Sequence, residues 1–260
     1  MTHYPFPDSR GTKIAFAAFF TAMLFLARDS MFTTAVIGFE KAQFLMLGVI
    51  CLLGVAFLIA NRRNLLQILK DRRMIVVVVS AAVLLLPMLV KRDWQLMYFS
   101  VLLCLLTAVL LSYFLTVREA AKYYVVIMSV LGAYSVLAAY ILRIGVDRGA
   151  YAVPVFRNSM GFEFHNFFLS IVPDTYVKNR NFGIFREPGV YQFFLITALY
   201  LNNYEVEWKK PWQLWLVNGI LAATMVSTFA TGGVAEMGLL AIVLFFDKKW
   251  YRDKRICAVG

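Results

Sequence analysis

Apolar residues in this chain gather into long runs, not into the alternating or one-faced patterns of a soluble domain. A spanning helix takes about 20 mostly apolar residues. On that rule the runs predict helices near 14–27, 42–60, 74–90, 94–117 and 123–142, then near 189–201, 212–228 and 234–246. Arg28 and Asp29 interrupt the first run, which either ends there or continues to 39 with both charges inside. Charge at membrane depth is costly, so if they lie inside they are functional candidates; an interfacial loop is the plainer reading. No run occurs between 143 and 187, and a connection that long in a compact domain is more often functional than filler. The expectation is therefore all-α: a polytopic transmembrane helical bundle of about eight spans. It forms a single integral membrane domain over 1–260 with one long extracytoplasmic loop, 143–187.

Composition agrees with the pattern. The chain is 61% hydrophobic and 16% aromatic, with a mean hydropathy of +0.71, more apolar than a soluble domain can bury. A net charge of +11 raises nucleic acid as a partner. The lysines and arginines flank apolar runs, however, as topology determinants do, and nucleic-acid binding is set aside. On one side of the expected spans the short segments carry 16 basic residues, against 4 on the other. By the positive-inside rule the richer side, with both termini, is cytoplasmic. Trp94, Trp208, Trp212 and Trp215 fall near expected span ends, where amphipathic rings settle. The basic start and first run read as a signal anchor, since no small-residue cleavage site follows. Cys51 and Cys104 lie in apolar runs and Cys257 in a basic tail, so no disulfide framework is implied.

The candidate chemistry is concentrated in NRNFGIFREPGVYQFF, residues 179–194. Arg180, Gly183 and Arg186 recur at three-residue spacing, and Glu187, Pro188 and Gly189 open a helix. Pro fits a first helical turn and holds the residue before it extended. A helix start offers unpaired amides and partial positive charge, and a guanidinium beside it adds a fork of donors. That combination suits an anion such as phosphate. The plainer reading is that both arginines snorkel or pair with lipid headgroups. Glu187, Glu163 and His165 are the candidate bases, each with a structural alternative. Glu187 could simply anchor the loop, Glu163 could be solvated, and His165, flanked by Phe164 and Phe167, could be packed. Glu236 is an acid in the last run, either at an interface or on a substrate path. Ser227, Thr228 and Thr231 bind substrate or satisfy a tight turn.

The string from Arg180 through Gly183, Phe185, Glu187, Pro188 and Gly189 resembles R-x-x-G-x-F-x-E-P-G of the O-antigen polymerase and ligase family. In particular it resembles the Wzy-type repeat-unit polymerases of surface polysaccharides. Thr228, Ala230 and Gly233 loosely resemble its T-x-S-x-x-G string. The likeness covers roughly the second half of the chain; the earlier runs agree in hydropathy alone. It implies a glycosyltransferase of the bacterial inner membrane that needs no metal or cofactor. Its partners would be membrane lipids, a polyprenyl pyrophosphate-linked oligosaccharide and other polysaccharide-assembly membrane proteins. Arg180 and Arg186 would neutralise the pyrophosphate, and Gly183, Gly189 and Thr228 would line the substrate site, with Glu236 beside it if that acid lies on the substrate path. Family members are usually longer, with further spans and a second large outer loop, so a truncated product, a compact member or an N-terminal piece of a longer gene is expected. A transporter for anionic lipid-linked substrates is the alternative from another class, as is a non-catalytic membrane protein.

Overall fold

The computed structural model describes residues 70–92, 115–157, 161–174, 180–185 and 187–248, with scattered positions in 41–55 and 98–112. The chain divides into two compact units, Met1–Arg28 with Ile37–Val117, and Asp29–Val36 with Arg118–Gly260. They are taken separately.

In the first unit α1 spans Arg72–Lys91. Asp71 starts it as an N-cap, its carboxylate accepting from the Arg73 amide at 2.9 Å, which satisfies one donor the helix cannot. The Arg73 guanidinium also pairs with Asp71 at 3.0 Å and donates to the Ser112 carbonyl at 2.9 Å. Arg92 ends the helix in the left-handed region, φ 52°, its amide returning to Met88.

In the second unit the main element is α2, Val117–Asp147, which passes through a π-helical turn at Ala138–Leu142. Three further helices follow: α3 (Pro188–Tyr204), α4 (Pro211–Ser227) and α5 (Thr231–Asp247). Pro188 and Pro211 stand at helix starts, where a missing amide costs nothing. The three pack on one another. At one end of the α3–α4 hairpin Asn202 donates to Asn218 at 2.8 Å and accepts from Trp208 Nε1 at 2.7 Å. An apolar surround makes such amide pairs effective fasteners.

Between α2 and α3 lies a three-stranded antiparallel sheet in the order β1 (Val155–Arg157), β2 (Glu163–Asn166), β3 (Ile171–Pro173). Phe164 on one face packs with Ile171 and Phe182, and Val172 on the other packs with Ala138, Ala139 and Phe167. The small side chains of the π-helical turn let the strand come close.

The expectation of an all-helical bundle of about eight spans is overturned. Among the described residues there are five helices, of which Arg72–Lys91 and Val117–Asp147 are long and apolar enough to cross a membrane. The other three have 17 residues each, about 25 Å of helix against a hydrocarbon core of about 30 Å. The stretch expected as a structureless loop holds the sheet, and Arg143 belongs to α2, not to the loop. Helices expected at 74–90, 123–142, 189–201, 212–228 and 234–246 occur with shifted ends. Those expected at 14–27 or 14–39, 42–60 and 94–117 lie wholly or largely outside the described residues.

Candidate functional site

The segment 180–185 is pinned from one side chain. Asn181, 1% exposed, donates through Nδ2 to Ser135 Oγ on α2 at 2.8 Å and to Ser227 Oγ on α4 at 2.9 Å. Its Oδ1 accepts the Gly183 amide at 2.9 Å, and its own amide donates to the Ser227 carbonyl at 3.0 Å. Ser135 and Ser227 donate their hydroxyl protons to the carbonyls of Gly132 and Thr224. Both serine oxygens therefore need a donor opposite them, which an amide supplies and a carboxylate does not. The Tyr191 hydroxyl, 3.0 Å from Ser135 Oγ, completes the set. Every polar group in this cluster has a partner, the condition under which buried polarity stiffens a fold.

Gly183 is buried at φ +55°, and a Cβ there would stand 2.6 Å from Tyr191 Cε1. It is a packing and backbone glycine whose amide is already taken by Asn181. Arg180, one residue before the clamp, is half-buried and has no ion-pair or hydrogen-bond partner among the described residues. Arg186, its expected companion, lies outside the described residues. Glu187 is extended at φ −140°, and its carbonyl takes the Tyr191 amide; its exposed side chain does not cap the helix. Gly189 is exposed in the first turn of α3, where amides have no partner within the helix.

A second knot joins α3 to the α4–α5 turn. Gln192 donates to Thr228 Oγ1 at 2.6 Å and to the Ala230 carbonyl at 2.7 Å, and accepts the Gly233 amide at 2.7 Å. A Cβ on Gly233 would lie 2.2 Å from Gln192 Cδ, so only glycine fits. The buried Thr228 hydroxyl donates to Met225 and accepts from Gln192. The structure thus brings together the two stretches that carry the strings, 179–194 and 226–233, through Asn181 with Ser227 and Gln192 with Thr228, Ala230 and Gly233. No family model, curated protein or solved structure matches this chain.

The remaining candidates stand apart from this clamp in chemistry. Glu163 faces Arg157 across β1 and β2 and accepts from its Nε at 2.8 Å. His165 Nε2 is 3.4 Å from Asp174 Oδ1, while its Nδ1 is enclosed without a hydrogen-bond partner. Nδ1 is therefore closed to a substrate hydroxyl in this conformation. Asp174 is held in turn, its carbonyl accepting from the buried Arg143, which also pairs with Asp147 at 3.4 Å. Glu236 is exposed on α5. Among the described residues no group of three His, Cys, Asp or Glu is arranged for a metal. Asn181, Ser135, Tyr191 and Gln192 were not legible as site residues. The one available signal was polarity inside apolar runs, at Ser135 and Gln192.

Proposed function

We propose that this chain is a membrane-embedded glycosyltransferase of the O-antigen polymerase and ligase type. It would pass a glycan from a polyprenyl pyrophosphate carrier to a sugar hydroxyl of a second lipid-linked unit. The observation that carries the reading is the joining of the two family-like strings through Asn181–Ser227 and Gln192–Thr228. Two stretches that carry strings resembling one family's motifs, 30-odd residues apart in the chain, are hydrogen-bonded to each other, as a shared site requires.

In the reaction the acceptor hydroxyl attacks the anomeric carbon, the bond from that carbon to the pyrophosphate oxygen breaks, and the hydroxyl proton passes to a base. Arg180 and Arg186, with the open amides at the start of α3, would stabilise charge building on the departing pyrophosphate. Of the three candidate bases Glu187 is the most exposed. By the same resemblance the setting would be a bacterial inner membrane.

The test is extension of lipid-linked repeats in a strain that depends on this chain for its polysaccharide. Arg180→Ala and Arg186→Ala should each abolish the ladder while the protein still inserts. Full ladders from both variants would remove the pyrophosphate role, and substrate crossing vesicles without a new glycosidic bond would favour the transport reading.

A further inference from the structure

Two hydrogen bonds fix how the β2–β3 hairpin lies along α2. At its tip the Phe167 carbonyl accepts from the Tyr134 hydroxyl at 2.6 Å, and at its base the Asp174 carbonyl accepts from Arg143 at 3.2 Å. Tyr134 and Arg143 are about 13 Å apart along the helix, so the hairpin lies beside α2 with its tip toward the α2 N-terminus.

The level of that tip can be read against α4. A Cβ on Gly132 would stand 2.8 Å from Thr224 Oγ1, and Asn181 bonds Ser135 and Ser227 together. The two helices therefore run in parallel register, and α4 stops level with Ser135. The stretch 136–147 of α2 extends about 18 Å further, carrying the sheet beside it. The hairpin tip and the α4–α5 turn thus lie at one height, where the packed helices end.

Each of these turns presents an exposed phenylalanine in the left-handed region. Phe168 has φ 69° and is 75% exposed; Phe229 has φ 48° and is 55% exposed. Asn166 Oδ1 holds the Phe168 amide at 2.8 Å, which fixes the strained backbone. A bulky residue at positive φ is disfavoured, and glycine would hold either turn without steric strain. Just below this height Val226 and Val234 turn apolar side chains outward, and deeper along the helices Val130, Leu216, Leu239 and Val243 do the same. We infer that Phe168 and Phe229 insert together into the lipid at the headgroup boundary and seat the second unit in the membrane plane. The inference rests on the membrane setting adopted under the proposed function.

Depth measurement by spin-label accessibility tests it on the full chain. Cys51, Cys104 and Cys257 are replaced by serine, and nitroxides are attached through Phe168→Cys, Phe229→Cys, Leu239→Cys and Arg148→Cys. The variants are reconstituted in vesicles of phosphatidylcholine and phosphatidylglycerol, and collisions with oxygen and with a water-soluble nickel chelate are compared. Labels at 168 and 229 should favour oxygen, to a degree between the deep label at 239 and the aqueous label at 148. If 168 and 229 behave like 148 while 239 favours oxygen, the insertion fails and the membrane setting stands. If both reagents are shut out at 168 and 229, protein covers the turns and the lipid contact is refuted. Chelate access at 239 would overturn the membrane setting, and the insertion with it.

Discussion

Asn181 donates to Ser227 twice, from its backbone amide to the Ser227 carbonyl at 3.0 Å and from Nδ2 to Ser227 Oγ at 2.9 Å. One residue thereby fastens the segment beginning at Arg180 to the end of α4. Because the serine protons are committed elsewhere, the amide is chemically specified, which turns a packing observation into an ordered series of variants.

Asn181→Ala removes the donors and leaves the buried Gly183 amide without its acceptor, a loss of about 1–3 kcal/mol. Asn181→Asp is nearly isosteric yet sets a carboxylate against two acceptor oxygens, and should cost more, about 3–5 kcal/mol. Thermal unfolding in detergent should therefore rank Asn above Ala above Asp. An Asp variant as stable as the parent would contradict the assigned donor directions.

Gly183→Ala meets two obstacles, the left-handed backbone at φ +55° and the Tyr191 ring 2.6 Å from the new Cβ. The backbone term alone is about 1–2 kcal/mol, and overpacking adds to it. Tyr191→Phe keeps the ring and should not rescue the variant, although it spares the clash no further harm than losing the Ser135 bond. Melting curves of the two single variants and the double check this. Rescue by Tyr191→Phe would show that the hydroxyl, not the ring, sets the limit.

At the α4–α5 turn, Phe229 occupies a left-handed position just past the helix end, where glycine is the usual resident. Phe229→Gly should raise stability in detergent by up to about 1 kcal/mol, the relieved strain being partly offset by chain entropy. Phe229→Val should lower it, since a β-branched side chain tolerates this region least. Equal melting temperatures for Gly, Phe and Val would mean that the turn is not strained.

The long apolar runs made five helices legible, because a run of apolar residues leaves few alternatives to a buried or lipid-facing helix. Pro188 marked the start of α3 for a reason visible in the sequence, and Pro211 stands at the same position of α4. The sheet was missed because strands of three or four residues barely register as a period of two, even where Phe-Glu-Phe-His alternates. Arg143 was assigned to a loop because a charge ordinarily ends an apolar run; Asp147 and the Asp174 carbonyl supply the partners that keep it inside the helix. The glycines at 183 and 233 were noticed as motif letters, but their partners Tyr191 and Gln192 are set by tertiary packing, which spacing does not encode.

Glu163 offers a discriminating negative. Its carboxylate meets Arg157 across β1 and β2 at an exposed edge, and such pairs contribute about 0–1 kcal/mol. Glu163→Gln should shift the melting temperature little and leave glycan extension intact, whereas Glu187→Gln should stop extension if Glu187 is the base. Ladder assays on the two variants side by side decide between the carboxylates.

The coupling of Gln192 to Gly233 is the sharpest test of how the two strings are joined. Gln192 spends its amide on Thr228, Ala230 and Gly233, all in the α4–α5 turn, and its Cδ would sit 2.2 Å from a Cβ on Gly233. Gly233→Ala therefore forces Gln192 out of its bonds, while Gln192→Ala vacates the space that the new methyl needs. Each single change should cost about 1–3 kcal/mol, by clash in one case and by unpaired buried groups in the other. The double variant suffers the unpaired groups once and escapes the clash, so its loss should fall short of the two single losses added together by about 1 kcal/mol or more. Strict additivity in a double-mutant cycle, read from unfolding in detergent, would mean that the turn relaxes around the alanine without disturbing Gln192. In that event glycine at 233 would be a matter of helix entry alone, and Gln192 would still hold the turn through Thr228 and Ala230.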